Sequence, residues 1–267
     1  MLHITAQDYH GYHSVVGPDN GVLQYLTLGL VKLAPGEAYT GETGDFEQVV
    51  VLLSGRMEVT VDEHAFTGQR KNVFKDRATA VYLPPHRDFH IRNIGDATLE
   101  AALAGSPATG AFDPFIVTPD EVKPRRVGRD NWVRTVQDII VQNGEGRVQR
   151  IVVGETINDA GNWSGYPPHK HDTYEPGIEA DMEELYHFRL SPVQGFGTQL
   201  HYRYEPMTAE AYLVRDGDTF MIPDGYHPVV AGAGYRLYYL WIMAGEGDRV
   251  LTPHEDPRHV WVKEAGA

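Results

Sequence analysis

The 267-residue sequence predicts an all-β fold, two antiparallel β-barrels in tandem. Three observations predict it. Short apolar or alternating runs recur about every ten residues. Turn formers separate them, the chain holding 28 Gly and 17 Pro. One turn signature also occurs once in each half, as duplication of a module produces.

In chain order, the first half offers strands at 21–33, 46–62, 79–85 and 99–105, rich in Val, Leu and Tyr and closed by Gly, Pro or Asp. Gly, Pro and Asp then accumulate at 109–122, where the halves divide, giving domains 1–115 and 116–267. After it the pattern restarts at 131–141, 146–157, 184–190, 197–206, 218–224 and 235–245. One helix is expected at 118–126, from its Thr-Pro-Asp-Glu start, cut short by Pro124. AVYLPPHRDFHI in the first half and DTFMIPDGYHPVV in the second share the repeated signature, a strand running into a proline turn and then histidine.

Composition excludes several functions. With 23 basic and 37 acidic residues, the formal charge of −14 repels phosphate backbones and argues against nucleic-acid partners. Zero cysteines exclude disulfides, a thiol nucleophile and cysteine-held metals. No run approaches the roughly 18 apolar residues of a membrane span, and MLHITAQDYH has no signal-peptide pattern, so a cytoplasmic protein is expected. No Gly-rich phosphate loop opens a helix, so no organic cofactor is expected.

The stretch GNWSGYPPHKHD carries His169 and His171 two residues apart. Extended backbone, favoured after Tyr-Pro-Pro, points both imidazoles to one side, as a shared metal ion requires. On spacing alone the pair serves equally as two solvated histidines. Downstream, DMEELYHFRL brings Glu183 and Glu184 into a strand, and IPDGYHP places His227 after a turn. H-x-H, Glu, then P-x-G-x-H is the order of the metal signature of cupins, and three imidazoles with a carboxylate suit Zn, Mn, Fe or Ni.

These motifs, with GYRLYYLWIMAG, the terminal HEDPRHVW, FEQVVVLLSGRMEVTV and DRATAVYLPP, resemble the 5-deoxy-glucuronate isomerases of myo-inositol catabolism over nearly the whole chain. That family is a two-cupin (jelly-roll) family related to the unsaturated-uronate ketol-isomerases. The resemblance implies metal ligands His169, His171, Glu184 and His227, with Glu184 chosen over Glu183 by its place two before Tyr186. It implies one divalent transition metal per chain, zinc first among the candidates, and a small sugar-acid substrate. It also implies a homo-oligomer, a dimer or hexamer. The expected reaction interconverts 5-deoxy-D-glucuronate and 2-deoxy-5-keto-D-gluconate. Alternatives are the same isomerisation on another sugar acid, a metal-dependent cupin oxygenase, and a non-catalytic sugar-acid binder. Leu200 and Trp241 depart from the residues expected of the family and bear on the choice of sugar.

Tyr186, Gln199, His201 and Arg203 are the candidates for proton transfer and for binding the substrate carboxylate, the last three by sharing one face of a strand. His187 alternates away from Glu184 and is expected to face out, as is Lys170 between the two histidines. Glu175, Glu179 and Glu183 are expected on a solvated or lid face, within an acidic segment, 172–181, whose Pro176–Gly177 resists regular structure. His254 and His259 are expected at the surface or in packing. His86 and His90 lack an upstream H-x-H partner, so the first barrel is expected to be metal-free.

Overall fold

In the computed structural model, which describes residues 1–110, 112–247 and 249–264, strands dominate and no α-helix occurs among the described residues. Short 3-10 turns occur at Asp130–Trp132, Gln142–Gly144 and Val260–Lys263. No helix among the described residues is long and apolar enough to cross a membrane.

The chain forms two compact units, and neither is continuous. One comprises 7–124 with 137–154, the other 1–6 with 125–136 and 155–267. Segments 1–6 and 137–154 therefore each lie with the unit on the far side of a cut at 115/116. The buried carboxylate of Glu47 accounts for the second exchange. It accepts the backbone N–H groups of Gln149, Arg150 and Ile151 at 2.6–2.8 Å, along with the Tyr82 hydroxyl.

The first unit is organised by the 16-residue strand Phe46–Val61. Its first part pairs with Ala80–Leu83 and Leu99–Pro107, its second with His64–Arg70 and Asp88–Asn93. The strand thus carries two successive sets of antiparallel partners along its length. The change of partners falls at Gly55, whose φ of +97° and 2.8 Å approach of a would-be Cβ to the Leu99 Cα admit no side chain. Val50, Leu52, Met57, Val59, Phe89 and Ile91 fill the interior. His86 and His90 lie exposed outside it.

Centred on the second unit, a seven-stranded sheet runs His3–Ile4, Thr219–Ile222, Glu183–Ser191, Arg236–Ala244 and then Val152–Asn158, Arg134–Ile140 and Pro124–Val127. A four-stranded sheet of Trp163–Ser164, Val229–Ala231, Phe196–Tyr204 and Met207–Arg215 accompanies it. All pairings with a stated register are antiparallel, the jelly-roll arrangement the sequence predicts.

Several local expectations are corrected. Segment 118–126 is not a helix. Glu121 accepts the Thr118 N–H and hydroxyl to close a turn, and Pro124 then opens the strand Pro124–Val127, since its ring keeps the preceding residue out of helical geometry. The 21–33 run starts as a strand only at Thr27, because the Asn20 amide oxygen holds the Val22 and Leu23 N–H groups in a turn. The 172–181 segment is regular: Asp172–Glu175 and Glu179–Asp181 pair as a hairpin, with Gly177 at φ +76° in the bend. Glu179 is not solvated. It is buried, accepting the Lys170 ammonium and the Asp172 and Thr173 N–H groups. His187 does not face out. Its strand lies inside the sheet and is covered on both faces, so the imidazole is fully buried against the Thr219 hydroxyl.

Candidate metal centre and cavity

Three separate stretches bring four side chains together. His169 stands on the short strand His169–Lys170, paired with His254–Glu255, and His171 follows two residues on. Glu184 belongs to the central strand Glu183–Ser191. His227 follows a turn at Gly225, whose φ of +76° and 2.9 Å approach of a would-be Cβ to the Tyr202 carbonyl require glycine. One ring nitrogen from each of His169, His171 and His227 lies within 4.8 Å of the others. Glu184 Oε2 sits 3.2 Å from His171 Nε2 and 3.1 Å from His227 Nε2.

The imidazole orientations are fixed from outside the cluster. His171 Nδ1–H donates to the Met182 carbonyl at 2.7 Å, and His227 Nδ1–H donates to the Gly225 carbonyl at 2.8 Å. A carbonyl only accepts, so in each neutral ring Nε2 carries the lone pair. Both lone pairs face the Glu184 carboxylate, and His227 Nε2 is buried with no hydrogen-bond partner. Two lone pairs against an anion are mutually repulsive unless a cation, a proton or a metal ion, stands among them.

The electrostatics agree. Burial, reinforced by His227 and His171, drives the His169 pKa down to about 3. Burial pushes Glu184 up, but the bonds and charges of His171 and His227 outweigh it and hold the carboxyl at about 2. Burial lowers His171, yet Glu184 raises it above the ordinary imidazole value. Without a metal, Glu184 therefore favours the protonated form of His171.

His169, His171 and Glu184 open onto a cavity of about 310 Å³. Tyr186, Tyr239, Trp241, Met182, Met243 and Thr156 also line it, and Leu251, Thr252 and Pro253 contribute a wall. Tyr186 is buried, its ring 4.3 Å from that of Tyr239. Burial, then the neighbouring Glu184 charge, raise its phenol well above the usual value, so it stays an O–H donor.

Gln199, His201 and Arg203 share a face, as the alternation requires, but that face does not line the cavity. They brace the turn carrying His227. Gln199 Nε2 donates to the His227 carbonyl at 2.8 Å, His201 Nε2–H to the Asp224 carbonyl at 2.7 Å, and Arg203 Nη1 to the Asp224 carboxylate at 2.8 Å. Leu200 also lies away from the cavity, opposite Ala211, whereas Trp241 lines it. Lys170 points away to Asp172 and Glu179.

Sequence reasoning missed Arg134, Arg125, Thr156 and Tyr239 as cavity residues. Arg134 carried one readable signal, a lone cation in the otherwise uncharged start of the run NWVRTVQ.

Residues 2–262 match the model of the KduI/IolB family. The chain belongs to that family. It is 33% identical over 253 residues to the 5-deoxy-glucuronate isomerase of Geobacillus kaustophilus, covering 94% of this chain and 90% of the relative. It is 34% identical over 252 residues to that of Bacillus subtilis, covering 93% and 92%. The crystal structure of an IolB-like protein from Salmonella typhimurium superposes with a TM-score of 0.91 at 30% identity, covering 98% of this chain and 99% of the other. An oxalate decarboxylase from Lactobacillus farciminis superposes at a TM-score of 0.68 with 12% identity, over 99% and 90% of the two chains, a likeness of cupin fold alone.

Proposed function

We propose that this KduI/IolB family member is a 5-deoxy-glucuronate isomerase, interconverting 5-deoxy-D-glucuronate and 2-deoxy-5-keto-D-gluconate within inositol catabolism in the cytoplasm. One observation carries it: identity of about a third, over nine tenths of both chains, to relatives bearing that name. The ligand set read for one divalent ion per chain is His169, His171, Glu184 and His227. The buried Nε2 lone pairs facing Glu184 support it, and three nitrogens with one carboxylate oxygen suit Zn first, then Mn, Fe or Ni.

Moving a carbonyl one carbon along a sugar requires removing a proton beside it, delivering one to the neighbouring carbon and stabilising the negative oxygen between. A bound divalent ion supplies Lewis-acid polarisation of substrate oxygens. Tyr186, kept protonated by burial beside Glu184, donates a hydrogen bond to the oxygen that gains charge. Tyr239 is held in place by its own hydroxyl, which donates to Ser164 Oγ at 3.0 Å, and it fixes the Tyr186 ring from the far side. The apolar wall of Trp241, Met182, Met243 and Leu251 limits water around these groups. Gln199, His201 and Arg203 act through His227, by holding its turn, rather than on substrate.

The test follows 5-deoxy-glucuronate by NMR in D₂O under anaerobic conditions, with the protein metal-loaded or chelator-treated. The expected result is 2-deoxy-5-keto-gluconate from the loaded protein only. No conversion by the loaded protein, or conversion that depends on O₂ or a nicotinamide, overturns the assignment.

A further inference from the structure

We infer that Arg134 is the group that binds the carboxylate of the substrate, giving the cavity an anion-recognising end separate from the histidine cluster. This rests on the sugar-acid reading above. Arg134 and the histidine cluster line the same cavity, so one small molecule can touch both. Arg125 is a second cation lining the cavity, while the Gln199, His201 and Arg203 group faces its own turn and not the cavity.

Glu255 and Arg125 act on Arg134 with opposite sign, and neutral carbonyls position its guanidinium. Its Nη1 donates to the Tyr166 carbonyl at 3.2 Å and to the Trp132 carbonyl at 3.4 Å, and its guanidinium sits 5.9 Å from the Trp132 ring centre. These contacts fix the plane of the fork. Among the described residues no carboxylate lies within ion-pair distance of it, and Nε and Nη2 have no protein acceptor. These donors are not sealed in the protein, so they are free to meet the oxygens of a molecule in the cavity. A carboxylate meets them with two parallel bonds, a geometry that favours arginine over lysine. Tyr166 also lies just before Pro167, Pro168 and His169, so the residues that orient Arg134 and those that carry the first imidazole form one stretch of chain. A sugar acid anchored by its carboxylate at Arg134 directs its aldehyde end toward His169, His171 and Tyr186.

The test uses metal-loaded wild type, Arg134→Gln and Arg134→Lys. Turnover of 5-deoxy-glucuronate is compared with that of 5-deoxy-glucose, which has a hydroxymethyl group in place of the carboxylate. For R134Q, kcat/KM on the acid should fall about tenfold to a hundredfold, mostly through KM, with the neutral sugar changed less than threefold. R134K should fall between, since it keeps the charge but not the fork. Equal losses on both sugars assign Arg134 a merely structural role and overturn the proposal, as do unchanged kinetics on the acid. A second arm does not depend on turnover. Protection against thermal unfolding by D-gluconate should exceed that by D-glucitol at least tenfold in half-saturating concentration for wild type and be lost in R134Q. A preference absent from wild type, or kept in R134Q, overturns the subsite. A preference present and lost as expected, without turnover of 5-deoxy-glucuronate, removes the isomerase assignment and leaves the subsite standing.

Discussion

Asp172 Oδ2 accepts the Gly225 N–H at 2.7 Å, so the residue next to His171 holds the turn that carries His227. The other carboxylate oxygen of Asp172 takes the Lys170 ammonium. Two ligand-bearing segments far apart in sequence are thus tied through one carboxylate. Burial pushes Asp172 up, but Lys170 and the Gly225 N–H outweigh it and hold its pKa at about 2, below an ordinary 3.8. A depressed carboxyl stabilises the fold above its unfolded pKa and loses that contribution as pH falls through the folded value. Replacing Asp172 with Ala should therefore cost about 2 kcal/mol at pH 7 and roughly half that at pH 3. Urea denaturation of both proteins at the two pH values measures it.

Metal content is the second expectation. Elemental analysis should find one transition-metal ion per chain, abolished in the His169→Ala/His171→Ala double variant. Gln199→Leu leaves all four proposed ligands but frees the His227 carbonyl, and should weaken binding about tenfold to a hundredfold. Two tightly held equivalents per chain would contradict a single centre.

Tyr186→Phe removes one hydroxyl from the cavity and little else. If that hydroxyl hydrogen-bonds the developing charge, kcat falls about a hundredfold to a thousandfold while metal content stays at one per chain. Steady-state kinetics beside elemental analysis check it; a variant within threefold of wild type would remove Tyr186 from the chemistry.

His187 gives an acid-stability test independent of the cavity. Burial first, then Arg189, drives its pKa well below 6.5, so the imidazole stays neutral in the fold. The unfolded chain binds a proton there below pH 6.5 and the folded chain does not, so stability falls as pH drops through that value. His187→Leu should change stability by less than about 1 kcal/mol at pH 7 yet be about 2 kcal/mol more stable than wild type at pH 5. An unchanged difference between the two pH values would show that the imidazole charges within the fold.

Much of the architecture was legible because strand periodicity and turn formers are local signals. The strands Glu183–Ser191 and Arg236–Ala244 fall where the alternation puts them. The grouping of His169, His171, Glu184 and His227 was legible because two of them are spaced for one face and the others occur in motif order. What failed was judging which side of a strand meets solvent. His187 and Glu179 are polar, and polarity alone suggests exposure, but His187 sits in a sheet covered on both faces and Glu179 is buried by Lys170 and the Asp172 and Thr173 N–H groups within a mostly exposed hairpin. Gln199, His201 and Arg203 mislead for a related reason: alternation tells that they share a face, not what that face meets. Arg134 was hidden because its role depends on a cavity assembled from strands distant in sequence.

The pairing of His3–Ile4 with Thr219–Ile222 sets an order of events at the ribosome. His3 reaches Asp218, 215 residues later, and Leu2 accepts the Met221 N–H. His3 and Ile4 thus wait for a strand made some 215 residues later before they have a partner, an interval of roughly 10–40 s at ordinary translation speeds. During that time the sheet bearing Glu184 cannot close its outer edge. A gene fragment beginning at 116 never closes it, and its product presents Thr219–Ile222 as a bare strand open to another chain. Expression of the second barrel alone should therefore yield aggregates, and co-expression of a peptide carrying the first six residues should relieve them.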